Sequence, residues 1–215
     1  MEKIFSLIKE ADDETLWMFA KDVHELILEK FFSTYWVDTA PEGFKDKFIE
    51  SGTKSVKMIV NLHECKNILD VGCGYNHFKN KFPSAKFTSI DPYIDGADYK
   101  MSVTEYQEKF PDRQYDCVLA LGSINFGPKP KILAEIDAID KLTRPEGIQV
   151  WRVNPRDKAE PHPKFPISEL IQYFNWNEPF IKLVSEMYEY EVIEYKNETA
   201  RGNTRRIFFV MKKGL

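Results

Sequence analysis

Four short apolar runs constrain this chain most: NILDV (67–71), KFTSID (86–91), YDCVLALG (115–122) and IQVWRV (148–153). The third is apolar almost throughout, the pattern of a strand buried on both faces of a parallel sheet. Between the third and fourth runs, Ile132, Leu133, Ile136, Ile139 and Leu142 recur at helical spacing. The helix they predict stops at RPEG, where Pro145 cannot continue it and Gly147 permits a turn. Ser102 and Glu105 stand at capping-box spacing, which starts another helix near 103. Strands alternating with helices at these lengths predict an α/β domain with a mostly parallel sheet.

The two ends of the chain differ from this middle. Residues 1–63 read as helices. Leu16, Phe19, Ala20, Val23, Leu26, Ile27 and Phe31 follow at spacings of three and four, and a second helical stretch runs from Phe44 to His63 after the break at TAPEG. This region is assigned as a helical N-terminal extension ahead of a domain spanning 64–215. Beyond aromatic bulk, no chemistry is expected of it. At the other end, EYEVIEYKNET (189–199) and RRIFFVMKK (205–213) are joined by ARGN, a β-hairpin pattern in which Gly202 and Asn203 take positive φ.

Composition excludes several classes. A chain of 215 residues with 43% apolar content suits one domain with an extension. The net charge is −4 with no basic stripe, so a long nucleic-acid duplex is a poor partner. Cys65, Cys73 and Cys117 are odd in number, which argues against a disulfide scaffold, and no metal-ligand spacing is present. MEKIFSLIKEADDE lacks the pattern of a signal peptide, and no run approaches transmembrane length. A soluble cytoplasmic protein is expected. Nothing in the chain sets an oligomeric state.

The chemistry is concentrated in LDVGCGYNH (69–77). Gly72 and Gly74 follow the first strand, where ligands of open α/β sheets sit, and glycine lets a ligand approach the backbone. Asp91 ends the second strand, where a carboxylate can accept from both hydroxyls of a ribose. Together these point to an adenosine-containing cofactor and leave nicotinamide dinucleotides and S-adenosylmethionine open. Three details choose between them. Asp70 precedes the glycines, and a carboxylate repels a pyrophosphate but welcomes an ammonium. The third glycine of G-x-G-x-x-G is replaced, with His77 at its position and Asn76 just before. An antiparallel pair closes the chain.

ILDVGCG resembles motif I of the class I S-adenosylmethionine-dependent methyltransferases. The resemblance runs from about Asn67 to the end and takes in Asp91, YDCVLALG, RPEG and the terminal hairpin. It implies a Rossmann-like seven-stranded sheet of order 3-2-1-4-5-7-6, flanked by helices, with the seventh strand antiparallel and a short third strand at about 97–101. It implies S-adenosylmethionine as cofactor. Asp70 would help hold the methionyl ammonium, and Gly72, Cys73 and Gly74 would line the methionyl and ribose portion. Asp91 would bind the ribose, Pro92, Tyr93 or Ile94 would face the adenine, and Ser102 would meet its edge. Leu121, Gly122 and Ser123 would face the sulfonium. Asn76 departs from the family's usual glycine, but asparagine is the residue most tolerant of left-handed geometry after glycine.

His77 and His162 are the catalytic candidates, the first beside the glycine loop and the second in the loop after the fourth run. His24 and His63 lie on helices and are read as structural or solvent-facing. The acceptor stays open among a small molecule, a protein side chain and an RNA site. GSINFG (122–127) lacks the N-P-P-Y-type signature of amino-methylating DNA enzymes, and the Cys-Pro motif of C5-cytosine enzymes is missing. The competing readings are a catalytically inactive S-adenosylmethionine-binding partner module and a nicotinamide-dependent oxidoreductase. The N-terminal helices and the 154–166 loop are the natural lid. Their aromatics, Trp17, Phe19, Phe31, Phe32, Tyr35 and Trp36, are expected to pack against the sheet.

Overall fold

A computed structural model describes residues 8–36, 55–76, 78–155, 163–200 and 204–215. The six strands are β1 (Asn67–Val71), β2 (Lys86–Ile90), β3 (Tyr115–Leu121), β4 (Thr143–Val153), β5 (Tyr190–Ala200) and β6 (Thr204–Lys213). They form one sheet of order β2-β1-β3-β4-β6-β5. The pairs β1–β2, β1–β3 and β3–β4 are parallel, and β6 runs antiparallel to both β4 and β5. The 201–203 turn predicted to join β5 to β6 lies outside the described residues.

Helices cover both faces. α1 is Asp13–Lys30, α2 covers residues 55–62, α3 is Val103–Lys109, α4 is Lys129–Leu142 and α5 is Glu178–Met187. Alternate residues of β3, Cys117 and Leu119 against Val118 and Ala120, face opposite cores. One core packs the sheet on Tyr106 of α3, Ile132 and Ile136 of α4 and Ile181 of α5. The other packs it on Val56, Ile59 and Val60 of α2. Burial on both sides is why the central strands are apolar at nearly every position.

The sheet has six strands where seven were expected. Within 97–101 only Tyr99 pairs, through a single parallel bridge to Ile90. Side chains satisfy the rest of that edge: the Ser89 amide and hydroxyl both donate to Asp98 Oδ2 at 3.0 Å, and the Asp98 amide donates to Ser89 Oγ. Ser102 then caps α3, leaving no length for a strand. β4 also begins earlier than its apolar run. RPEG is a bulge within it, and the register jumps from Tyr115 opposite Thr143 to Cys117 opposite Ile148. Glu146 takes φ 59°, and a Cβ on Gly147 would stand 2.8 Å from the Arg144 carbonyl oxygen, so glycine is needed there.

The N-terminal segment lies over the loops at the C-terminal ends of the strands. α1 starts at Asp12, whose carboxylate accepts from the Thr15 amide at 2.8 Å. It ends in a π-helical turn, Phe31–Trp36. Ile27 and Leu28 are buried with Phe165 and Ile171, and Phe31, Phe32 and Tyr35 pack around them. These aromatics therefore pack on loop residues rather than on the sheet faces. Trp17 and Phe19 are exposed, at 58% and 49%. Of the second predicted helix, residues 55–62 are helical and 37–54 lie outside the described residues.

Candidate functional site

The loop after β1 is drawn tightly against β2 and β3. The amides of Gly72 and Cys73 both donate to the Ile90 carbonyl, at 2.8 and 3.1 Å. Gly72 takes φ 64°, and a Cβ there would stand 2.2 Å from the Ser123 Cβ. The loop after β3 thus approaches so closely that no side chain fits. Gly74 and Asn76 follow in left-handed geometry, at φ 53° and 57°. The Asn76 amide group donates to Ser89 Oγ at 2.9 Å and to the Gly96 carbonyl at 3.0 Å. Where a third glycine was expected, Asn76 makes the same turn and also ties it to the end of β2.

Asp91 is the centre of this region's backbone. Its Oδ1 accepts from the amides of Tyr93 and Ile94, each at 2.9 Å, and its Oδ2 accepts from Gly74 at 3.0 Å. Asp70, at the end of β1, is the opposite case. It is 3% exposed, and its Oδ2 has no hydrogen-bond partner. Burial, with the charge of Asp91 adding, pushes its carboxyl up to about 7. A buried carboxylate without a partner is costly and favours a cationic ligand. Burial also pushes the Cys73 thiol up, so it is an inert wall residue.

The remaining predicted residues line the same cavity, of about 1690 Å³. Ser102 caps α3 in a reciprocal capping box with Glu105. Tyr93 stacks on Phe32 of the N-terminal segment, with centroids 5.5 Å apart and planes at 11°, and its hydroxyl donates to Glu25 at 3.0 Å. Gly122 takes φ 98°, and Ser123 Oγ is buried without a partner. All eleven residues assigned to a cofactor from the sequence therefore meet at one place. His77 and His162 lie outside the described residues.

Other residues reach the cavity without having been expected there. α1 was read as free of chemistry, yet His24 and Glu25 line the wall, and α4 adds Lys131 and Glu135. Glu25 accepts from Lys131 Nζ at 2.5 Å. His24 Nε2 accepts from the Gln172 amide at 3.0 Å, consistent with its structural reading. The signal for Glu135 was present in the sequence: it stands three residues after Ile132 and four before Ile139, an acid on the apolar stripe of its helix. Among the described residues, no group of three His, Cys, Asp or Glu is placed to hold a metal ion. No described helix is long and apolar enough to cross a membrane.

No family model matches the sequence. No curated protein matches it either. Solved structures do match. The 1,6-didemethyltoxoflavin-N1-methyltransferase of Burkholderia thailandensis, with S-adenosylhomocysteine bound, superposes at a TM-score of 0.64 and 14% identity over 90% of each chain. The magnesium protoporphyrin IX methyltransferase of Synechocystis PCC 6803, with S-adenosylmethionine bound, gives 0.62 at 12% identity over 89% of this chain and 97% of that one. The chain has the class I methyltransferase fold. The N-methyltransferase NodS of Bradyrhizobium japonicum WM9, with S-adenosylhomocysteine bound, gives 0.59 at 12% identity over 84% of this chain and 92% of that one. At these identities the likeness is one of fold alone.

Proposed function

We propose that this protein is an S-adenosylmethionine-dependent methyltransferase. One observation carries the reading: the buried Asp70 carboxylate lines the cavity beside the glycine loop with an oxygen that has no partner. An ammonium fits that oxygen and a pyrophosphate does not, which sets a nicotinamide dinucleotide aside. The close approach at Gly72 and the partnerless Ser123 hydroxyl suit a ligand lying against both loops.

In this reading Asp70 holds the methionyl ammonium, and Gly72 to Gly74 present backbone to the middle of the cofactor. The Asp91 Oδ1 is filled by two backbone amides, so Asp91 offers the ribose Oδ2 alone. Pro92 and Ile94 face the adenine. Tyr93, bonded to Glu25 and stacked on Phe32, holds that edge to α1 and to the turn after it. Leu121, Gly122 and Ser123 face the reacting end. The cofactor, when bound, supplies a sulfonium-activated methyl group. The chain then has to align the acceptor and exclude water, and the segment 13–36 that lies over the loops serves as the cap that does so, while α2 belongs to the sheet's core.

Calorimetry tests the reading. S-adenosylhomocysteine should bind the wild-type protein and NADH should not. Asp70→Asn should weaken S-adenosylhomocysteine about tenfold, the loss of a charged hydrogen bond. The same substitution should hardly change 5′-methylthioadenosine, which lacks the amino group. Equal losses for the two ligands would remove Asp70 from the ammonium.

A further inference from the structure

Two carboxylates line this cavity with a buried, partnerless oxygen: Asp70 through Oδ2 and Glu135 through Oε2. The first is assigned above to the cofactor. The second stands in the second turn of α4, on the wall that faces α1. The cation that acts on it, Lys131 one turn earlier, has its Nζ on Glu25. The other oxygen of Glu25 accepts from the Tyr93 hydroxyl. His24 offers no positive charge, because its Nε2 is a hydrogen-bond acceptor for the Gln172 amide. Lys131 is thus engaged by Glu25, and Glu135 Oε2 has no hydrogen-bond partner.

Aromatic rings line the same cavity as Glu135. Three of them form a chain: Phe32 lies edge-on to Phe126 at 5.0 Å, and Phe126 edge-on to Tyr173 at 4.9 Å. The cavity, at about 1690 Å³, exceeds the roughly 300–1,000 Å³ of an ordinary single-ligand pocket. There is room for a second molecule beside a cofactor.

We infer that Glu135 binds the ammonium of the methyl acceptor, so the acceptor is a small amine with a flat apolar body. The inference rests on the S-adenosylmethionine reading. A carboxyl oxygen without a partner and aromatic rings lining one cavity suit an organic cation, the carboxylate meeting the charge and the ring faces the rest. The chemistry agrees. An ammonium has no lone pair and must lose a proton before it can accept a methyl group. Burial, with Glu25 adding and Lys131 opposing, pushes the Glu135 carboxyl up to about 8. Once ionised against the bound ammonium, Glu135 can take one proton from it, free the nitrogen lone pair and pass the proton to water.

The test uses the full chain saturated with S-adenosylhomocysteine and three probes of one shape: benzylamine, benzyl alcohol and benzamide. Calorimetry should give benzylamine at least about tenfold tighter than either neutral probe, the difference made by one charged hydrogen bond. Glu135→Gln should erase that preference and leave S-adenosylhomocysteine affinity unchanged. Glu135→Met, which is uncharged and offers only a weak sulfur acceptor, should do the same. If benzylamine binds no tighter than the neutral probes, or keeps its preference in both variants, the inference falls. Benzamide as the tightest probe would overturn it too, making Glu135 a neutral donor to a carbonyl. If Glu135→Gln weakens S-adenosylhomocysteine as Asp70→Asn does, Glu135 belongs to the cofactor and the inference is overturned. Failure of the wild-type protein to bind S-adenosylhomocysteine would remove the underlying reading and the inference with it; binding without the amine preference removes the inference alone.

Discussion

Asp70 places stability and ligand binding in opposition within one side chain. Its carboxyl is pushed to about 7 by burial and by Asp91, from an ordinary value near 4. A group whose folded value is raised stabilises fully below its unfolded value, and that contribution is lost as pH climbs through the folded one. The ligand-free protein should therefore lose stability between about pH 4 and pH 7 on this account. The ceiling is about 4 kcal/mol, at about 1.4 kcal/mol per pH unit. Asp70→Asn does not titrate. In urea melts without ligand it should match the wild type near pH 4 and exceed it by a few kcal/mol near pH 8. The same variant should bind S-adenosylhomocysteine less tightly. A variant no more stable than wild type near pH 8 would mean that Asp70 has a partner in solution.

Among the elements, the loops after β1 and β3 act as a pair. Gly72→Ala puts a Cβ 2.2 Å from Ser123 Cβ in a φ of 64°, so it meets both a clash and left-handed strain. It should cost more than about 3 kcal/mol in chemical denaturation. Ser123→Gly removes the clash and leaves the strain, so the double variant should recover at least about 1 kcal/mol over additivity. Strict additivity would place the two loops further apart. Asp91→Ala releases three backbone amides at once, and should lower stability by about 3 kcal/mol or more before any effect on a ligand is counted. Differential melts of that variant with and without S-adenosylhomocysteine separate the two losses.

These loops were legible in the sequence because their chemistry is local. A left-handed turn favours glycine or asparagine, and a strand buried on both faces demands a continuous apolar run. β1, β2 and β3 therefore fall within a residue of where the pattern put them. The misses are non-local. RPEG has the chemistry of a turn, and only the pairing of Thr143 with Tyr115 draws it into β4. The strand expected at 97–101 is displaced by Asp98, whose side chain satisfies the β2 edge in place of a neighbouring backbone. Glu135 reads as one acid on an amphipathic helix. Its isolation depends on Lys131 being taken by Glu25, a residue of α1 far away in the chain.

At the scale of the whole molecule, one of the polar contacts that hold α1 over the cavity titrates near neutral pH. Glu25 joins it to Lys131 and Tyr93, Phe32 stacks on Tyr93, and His24 Nε2 accepts from the Gln172 amide. That last bond requires a neutral imidazole, since a protonated ring has only donors. Burial lowers the His24 value below its ordinary 6.5; Glu25 opposes the shift and Lys131 adds to it. A group whose folded value is lowered contributes stability that is present above its unfolded value and lost as pH falls through the folded one. Acidification below about 6.5 should thus loosen α1 before it affects the sheet. A net hydrogen bond is worth about 0.5–1.5 kcal/mol, so opening of α1 should rise by roughly 2- to 10-fold. Hydrogen exchange, corrected for the intrinsic pH dependence of the amides, measures this directly. Between about pH 7 and pH 5, protection of residues 13–30 should fall while that of β3 holds. His24→Gln keeps an acceptor that cannot be protonated, and should remove the pH dependence while preserving protection near neutrality. If protection in α1 follows that of β3 throughout, the helix is part of the rigid core. The His24 contact then does not govern access to the cavity.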